Sequence, residues 1–163
     1  MNKTEKISLI TAIGTVIVAF AVGIQSYALL SEFESINRPW IGITKFEETP
    51  ENKINYIYEN FGKIPNTDGK IRVVWTEDIY DDFIEKMYDK PAQLEMGVLL
   101  PTQTLEQTIN DLPLELIQKS KNGDPLYVGV LIKYDYLDNK EGEYGTMMEF
   151  VNGEFSIVKT WLK

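Results

Sequence analysis

The chain has 163 residues, a formal net charge of −9 from 16 basic and 25 acidic side chains, and neither cysteine nor histidine. The missing cysteine excludes a disulfide framework and a thiol nucleophile, and the missing histidine excludes a Ser-His-Asp triad and histidine metal ligands. The acidic balance argues against nucleic acid as a partner, because phosphates require a basic face. The length predicts about one folded domain.

The first element is an uncharged, mostly apolar stretch over residues 7–30. As a helix it would measure roughly 36 Å, enough to cross a hydrocarbon core of about 30 Å. A buried helix of a soluble protein and a signal peptide cleaved after Ala21 are the alternatives. The apolar run continues nine residues past Ala21, which is too long for an ordinary signal peptide. We therefore predict a transmembrane helix over 7–30 with the lipid bilayer as its partner.

Basic residues flank this helix unequally. Lys3 and Lys6 precede it, whereas Glu32 and Glu34 follow it with Arg38 as the near basic residue. The positive-inside bias predicts a cytoplasmic tail over 1–6 and an extracytoplasmic remainder.

Small residues in the helix suggest a place for a second helix to pack. We expect Gly14, Ala19 and Gly23 to line one side, and Ala19 and Gly23 form a small-xxx-small pair. Such packing would suit a single-span subunit of a larger membrane complex.

The negative charge belongs to the part of the chain beyond the helix. Lys3, Glu5 and Lys6 are the charged side chains before residue 31, which leaves 14 basic and 24 acidic side chains after it, a net −10. We predict a short linker over 31–38 and one extracytoplasmic domain over 39–163.

Most of this domain is predicted to be strands. Period-two alternation and β-branched or aromatic residues mark segments 40–47, 54–59, 71–76, 94–100, 105–109, 126–136, 143–151 and 155–162. Asn152-Gly153 predicts a tight hairpin, and residues 138–142 a longer one. The last three strands should form an antiparallel meander. Eight regularly spaced strands predict a β-sandwich or a barrel.

Two stretches have helical periodicity instead. Residues 77–89 place apolar side chains on one stripe, with Thr76 as the expected N-cap. Residues 112–121 form a weaker pattern, with Pro113 near its start and Gly123 after its end.

Several short motifs resemble a broad set of uncharacterised prokaryotic single-span membrane proteins. Their segments here are Asn37-Arg38-Pro39-Trp40-Ile41, Asn60-Phe61-Gly62-Lys63-Ile64-Pro65, Leu100-Pro101-Thr102-Gln103 and Ile132-Lys133-Tyr134-Asp135-Tyr136. The chain departs from the pattern at Ile64 and Asn66 and in the helical segment 77–89. The resemblance implies an extracytoplasmic immunoglobulin-like β-sandwich and carries no catalytic residues.

The motif residues also have structural interpretations. Asn60 and Gly62 suit the end of a strand, where glycine can take positive φ, and Pro65 would stiffen the start of the next strand. Arg38 would pair with an acidic neighbour such as Asp135 or with lipid phosphates.

Acidic side chains are the available candidates for chemistry. Adjacent carboxylates could serve a hydrolase, but no spacing singles out a catalytic pair. Calcium needs six to eight oxygen ligands, and the weak candidates for it are Glu77, Asp78, Asp81, Asp82, Asp135 and Asp138. We expect no catalytic residue, cofactor or metal.

Three functional hypotheses follow. The first is a membrane-anchored interaction or accessory protein that presents an acidic sandwich to an extracytoplasmic partner. The second is a calcium- or ligand-binding surface module, and the third is a carboxylate-based hydrolase. The absence of a recognisable catalytic set favours the first.

Overall fold

The computed structural model describes residues 3–79, 82–137 and 140–163, with only the backbone described for 3–12, 34 and 35. The elements are α1 (Lys3–Ile36), β1 (Ile41–Glu48), β2 (Ile54–Asn60), β3 (Asp68–Thr76), α2 (Phe83–Asp89), β4 (Leu94–Glu95), β5 (Thr104–Thr108), α3 (Leu114–Lys121), β6 (Leu126–Tyr136), β7 (Lys140–Val151) and β8 (Glu154–Leu162). The chain divides into two compact units, Met1–Asn37 and Arg38–Lys163.

The first unit is the long apolar helix α1. Within the described residues, Ile13–Phe33 is long and apolar enough to cross a membrane, with a mean hydropathy of 1.9 and no part of it buried. The helix continues through most of the predicted linker because nothing breaks it before Pro39. Asn37 ends it by donating from both its backbone and its side-chain nitrogen to the carbonyl of Phe33.

The second unit contains two antiparallel sheets. One has the strand order β1-β2-β5 and the other β4-β3-β6-β7-β8. The sequence placed most of these strands to within one to three residues, and β6 has the predicted bounds. The predicted meander of the last three strands is confirmed by the β6-β7 and β7-β8 pairings.

One hydrophobic core joins the inner faces of both sheets. Its fully buried members include Ile41 and Ile54 from the first sheet and Ile71, Val130 and Phe150 from the second. Apolar side chains at every second position give each sheet one inward face, and removing those faces from water drives their association. This arrangement is consistent with a β-sandwich.

Helix α2 covers part of the outer face of the larger sheet. Phe83 and Met87 are buried there against Leu131 and Met147. The helix begins at Phe83, later than predicted, and Ile79 is 49% exposed. The hydroxyl of Thr76 contacts Asp78 rather than capping the helix, because Thr76 still belongs to β3. Residues 80 and 81 lie outside the described residues.

The predicted strand over 94–100 is wrong beyond its first two residues. Met96 and Leu99 are buried, whereas Val98 and Leu100 are more than half exposed. Backbone groups of Gly97 and Leu99 bind a side chain rather than a neighbouring strand. A side chain that satisfies these groups removes the need for a ladder.

The hairpin between β7 and β8 is the predicted tight turn. Asn152 and Gly153 have φ of 53° and 80°, the left-handed values that a two-residue hairpin of this type requires. Helix α3 lies beside this turn, since the backbone N–H of Asn152 donates to the carbonyl of Ser120 at 2.7 Å.

Candidate interaction surfaces

The motif residues of the domain meet around the side chain of Asn60, which is fully buried at the end of β2. Its Oδ1 accepts from the backbone N–H groups of Trp40 at 3.2 Å and Gly62 at 2.9 Å. Its Nδ2 donates to the carbonyls of Ile64 at 2.8 Å and Leu99 at 3.1 Å. The full hydrogen-bonding capacity of one amide therefore holds three chain segments together.

Close backbone packing explains two further motif residues. A Cβ on Gly62 would lie 2.6 Å from the Cα of Pro39 and from the nitrogen of Trp40, so only glycine fits there. The expected positive φ at Gly62 is wrong, because its φ lies outside the left-handed range and close backbone contact is what requires glycine. The hydroxyl of Tyr134 donates to the carbonyl of Pro39 at 3.2 Å. Burial raises the pKa of the Tyr134 hydroxyl, which keeps it a donor.

The contacts and positions of three motif residues differ from the sequence expectation: Arg38, Asp135 and Pro65. The guanidinium of Arg38 lies 3.5 Å over the ring of Trp40, and Arg38 forms no ion pair with Asp135 in the described residues. Asp135 is exposed on the outer face of the sheet, because successive residues of a strand point to opposite faces and its neighbour Tyr134 points inward. Pro65 is exposed and lies three residues before β3 begins.

Asn66 is a second buried amide, and no sequence pattern indicated its role. Its Oδ1 accepts from the N–H of Leu99 at 2.6 Å, while its Nδ2 donates to the carbonyls of Asp68 at 3.0 Å and Gly97 at 3.1 Å. Asn60 and Asn66 therefore fix the loops 61–67 and 96–103 from inside.

These loops lie at the end of the domain where the chain enters it after α1, which we call the proximal end. Asn60 pairs with Ile41 at the start of β1, and Asp68 pairs with Asp135 near the end of β6. Four apolar side chains at this end are largely exposed: Phe61 (58%), Val98 (57%), Leu100 (56%) and Leu137 (45%). The proximal end is therefore an apolar surface formed by loops with fixed backbones.

A cluster of charged and aromatic side chains lies under α2, and sequence reasoning missed it. The Tyr88 hydroxyl donates to Glu143 and accepts from Trp161 Nε1 at 3.3 Å and Lys163 Nζ at 3.0 Å. Lys133 and Lys163 approach the Glu143 carboxylate at 3.6 and 3.2 Å. The pairing of β6, β7 and the end of the chain places Lys133, Glu143 and Lys163 in one cross-strand row, which the predicted meander could have indicated. The approach of Tyr88 from α2 depends on tertiary packing and could not be predicted in this way.

The ionised state of Glu143 defines what this cluster can do. Burial alone would raise the pKa of its carboxyl, but hydrogen bonds from Tyr88 and Lys163 and the charges of Lys163 and Lys133 outweigh burial and lower the pKa. A carboxylate held ionised by these partners is a poor general acid near neutral pH. The cluster therefore acts as a polar connection between α2 and the β7-β8 hairpin.

The weak calcium candidates are dispersed. Glu77 pairs with Lys119 at 3.0 Å and Asp82 with Lys86 at 3.3 Å, while Asp78 and Asp135 are exposed. Asp81 and Asp138 lie outside the described residues. In the part of the chain that the structure describes, no three acidic side chains come close enough to hold a metal ion.

A pocket of about 330 Å³ opens beside Tyr56 and Ile109. Its lining contains one carboxylate, Asp111, which accepts hydrogen bonds from Gln93 at 2.8 Å and Lys90 at 3.5 Å. Hydrolysis by a carboxylate pair would need two such groups facing one substrate. The pocket offers no such pair.

Strand β8 forms one edge of the larger sheet and exposes Ile157 (71%) and Val158 (44%). The register with β7 slips between Met147 and Met148, which leaves Val158 as an extra residue in the strand. A bulge and a neighbouring lysine, here Lys159, discourage edge-to-edge pairing with another strand. Edge pairing is therefore disfavoured at β8.

The small residues of α1 do not share one side, contrary to the sequence expectation. Gly14 and Gly23 are nine residues apart, and at about 100° per residue they point in opposite directions. Ala19 and Gly23 share a side, where they form a shallow notch together with Phe20, Ile24 and Tyr27.

The fold and these surfaces define a mainly β protein that carries an exposed apolar N-terminal helix. Comparison with protein-family models, with curated proteins and with solved structures gives no match. Its function must therefore be argued from its own surfaces.

Proposed function

We propose that this chain is a single-span membrane protein whose acidic β-domain lies on the extracytoplasmic side and acts by binding, as an accessory subunit of a larger membrane complex. The observation that carries the proposal is the full exposure of Ile13–Phe33, including Phe20 at 71% and Ile24 at 68%. An apolar surface of this length is unfavourable in water and favourable in lipid.

The flanking charges support the orientation. Lys3 and Lys6 precede the span, whereas the domain after it carries a net −10. Lysine and arginine near a span favour the cytoplasmic side.

Strand order supports an immunoglobulin-like relationship. In the immunoglobulin sandwich, strands A, B, E and D form one sheet and C, F and G the other, with C′ beside C in the variable type. Assigning β1 to β7 to strands A, B, C, C′, E, F and G reproduces this order without strand D, with β8 as an addition beyond G. Many domains of this type bind other proteins at cell surfaces, which agrees with the resemblance to single-span prokaryotic membrane proteins.

Binding is favoured over catalysis by the state of the acidic groups. Glu77, Asp82, Asp111 and Glu143 already interact with lysines. Neither cysteine nor histidine is present to supply a nucleophile or a base.

Single-cysteine accessibility tests the span and its orientation, because the chain has no cysteine of its own. Gln118→Cys lies on an exposed face of α3, and the comparison variant has one cysteine added before Met1. A membrane-impermeant maleimide should label Gln118→Cys in intact cells and the N-terminal cysteine only after permeabilisation. The reverse labelling would overturn the orientation, and release of the chain by alkaline extraction would overturn the span.

The notch of Ala19 and Gly23 tests the accessory role. After gentle solubilisation, the wild-type chain should migrate as a larger complex, and Gly23→Leu should reduce its size because leucine fills the notch. Val22→Leu, on a neighbouring face, is the matched control and should preserve the complex. A wild-type chain that migrates as a monomer would overturn the accessory role.

A further inference from the structure

The exposed apolar residues of the domain are not evenly distributed. Phe61, Val98 and Leu100 lie in two loops at the proximal end, and Leu137 directly follows β6 there. Leu162, 50% exposed, adds to this end, where it lines an apolar pocket with Trp40 and Phe61. Exposed apolar side chains grouped at one end of a domain indicate a contact with a partner or a membrane.

The charge of the same end differs from that of the domain. Residues 37–44, 60–67 and 96–105 contain Arg38 and Lys63 and no carboxylate, and residues 137–142 add Lys140, Asp138 and Glu141. These segments together carry a net +1, whereas the chain beyond residue 30 carries a net −10. Among the described residues, Asp68, Asp135 and Glu141 form a cross-strand row at this end of the larger sheet. The two loops that expose apolar side chains carry cations at Arg38 and Lys63 beside them and no carboxylate of their own, which complements lipid headgroups, whose phosphates are anionic.

We propose that the proximal end docks onto the headgroup layer of the membrane that α1 spans, with Phe61, Val98 and Leu100 inserted at the boundary and Arg38 and Lys63 on lipid phosphates. The proposal rests on the proposed span.

Chain connectivity restricts the distance that docking requires. The candidate span ends at Phe33, the helix ends at Ile36, and the β-rich unit begins at Arg38. A helical residue advances about 1.5 Å and an extended one at most about 3.6 Å, so Arg38 follows the end of the span by roughly 12 Å of chain. That length is comparable to the headgroup layer, which is about 5–8 Å thick on each side.

The fixed backbone of the loops favours insertion over rearrangement. Asn60 and Asn66 make seven side-chain hydrogen bonds to backbone groups, and five of these hold residues 61–67 and 96–103. A surface with a preset shape loses little conformational entropy when it binds.

The test places the full chain in vesicles of phosphatidylcholine and phosphatidylglycerol with a nitroxide on one introduced cysteine. Phe61→Cys and Leu100→Cys report the proximal end. Gln118→Cys, on α3 at the opposite end of the domain, and Ile157→Cys, on β8, are exposed controls, and Ile17→Cys reports the span. The spin relaxation of the nitroxide by dissolved oxygen is compared with its relaxation by a water-soluble nickel chelate. A high ratio of the first to the second places the label in lipid, and a low ratio places it in water.

If the proximal end docks, the oxygen-to-nickel ratio at Phe61→Cys and Leu100→Cys should be several-fold above the ratio at the two exposed controls, Gln118→Cys and Ile157→Cys. Adding Arg38→Gln and Lys63→Gln should lower the ratio at the two proximal labels. Ratios equal to those of the controls would overturn docking, while a lipid signal at Ile17→Cys would show that the span itself is intact. A water-like ratio at Ile17→Cys would instead overturn the span. Labels that face water in vesicles but become immobilised in native membranes would identify a protein as the occupant and overturn lipid docking.

Discussion

The side-chain nitrogen of Asn60 donates a 3.1 Å hydrogen bond to the carbonyl oxygen of Leu99, thirty-nine residues further along the chain. The bond is fully buried and links the end of β2 to a loop that belongs to neither sheet. Because the same amide also binds Trp40, Gly62 and Ile64, the start of the domain depends on a single side chain.

Asn60→Asp should destabilise the domain strongly. The substitution keeps the side-chain shape but places a carboxylate oxygen against the carbonyls of Ile64 and Leu99, where a donor is needed. We expect a loss of about 3 kcal/mol or more in the free energy of unfolding, the range for a buried group that loses its partners. Urea unfolding of the full chain in nanodiscs, followed by tryptophan fluorescence, measures it. Asn110→Asp, at an exposed site, should cost less than about 0.5 kcal/mol; equal losses would contradict the role of Asn60.

Gly62→Ala should destabilise the domain by backbone overlap. The added Cβ would lie 2.6 Å from Pro39 Cα and Trp40 N, and backbone cannot move aside as a flexible side chain can. Overpacking of this kind costs about 1–3 kcal/mol or more. Gly97→Ala is the matched control, because a Cβ there meets nothing within 4 Å. Thermal unfolding should separate the two variants, and a Gly62→Ala protein as stable as Gly97→Ala would refute the close contact.

Glu143→Gln should flatten the dependence of stability on pH. The folded-state pKa of Glu143 lies below its ordinary value of 4.5, so its stabilising effect is complete above that value and is lost as pH falls through the folded pKa. The wild-type protein should therefore exceed the variant in stability near neutral pH, and the difference should shrink as the pH falls below 4.5. Urea midpoints across this range measure it. Glu141→Gln, at an exposed neighbouring position, is the control; a difference for Glu143→Gln that does not change with pH would exclude the ionised pair.

Ile17→Arg should impair insertion of α1. Ile17 lies near the middle of the uncharged apolar stretch 7–30. Arginine near the centre of a span costs about 2.5–3.5 kcal/mol, and the lost isoleucine removes a further favourable contribution of about 0.5 kcal/mol. The fraction of chain retained in the membrane after alkaline extraction should fall. Ile157→Arg changes another exposed isoleucine, in β8, and should leave retention unchanged. Full retention of Ile17→Arg would contradict a central position in the bilayer.

Local sequence rules succeeded where each residue's environment was set by its near neighbours. Strand β6 was predicted from Leu126 to Tyr136 because alternation over eleven residues suits two packed faces. The Asn152-Gly153 hairpin was predicted because those two residues tolerate positive φ.

The same rules failed where distant groups compete for the backbone. Residues 94–100 alternate as a strand would, yet Asn66 binds the backbone of Gly97 and Leu99 and ends the pairing after Glu95. The expected Arg38–Asp135 pair does not form for a different reason: Asp135 points to the outer face of its sheet, whereas the guanidinium of Arg38 lies over the nearby ring of Trp40.

By itself, the sequence determined the apolar helix, the position of the negative charge and the mainly β character of the domain. Each of these depends on composition or on a period of a few residues. The tertiary structure alone decided that Asn60 and Asn66 fix the proximal loops, that Phe61 and Leu100 project from one end, and that Tyr88 joins Lys133, Glu143 and Lys163. The physical reason is that hydrogen bonds and exposure at these sites depend on groups tens of residues apart in the chain, and their meeting follows from how the two sheets and α2 pack.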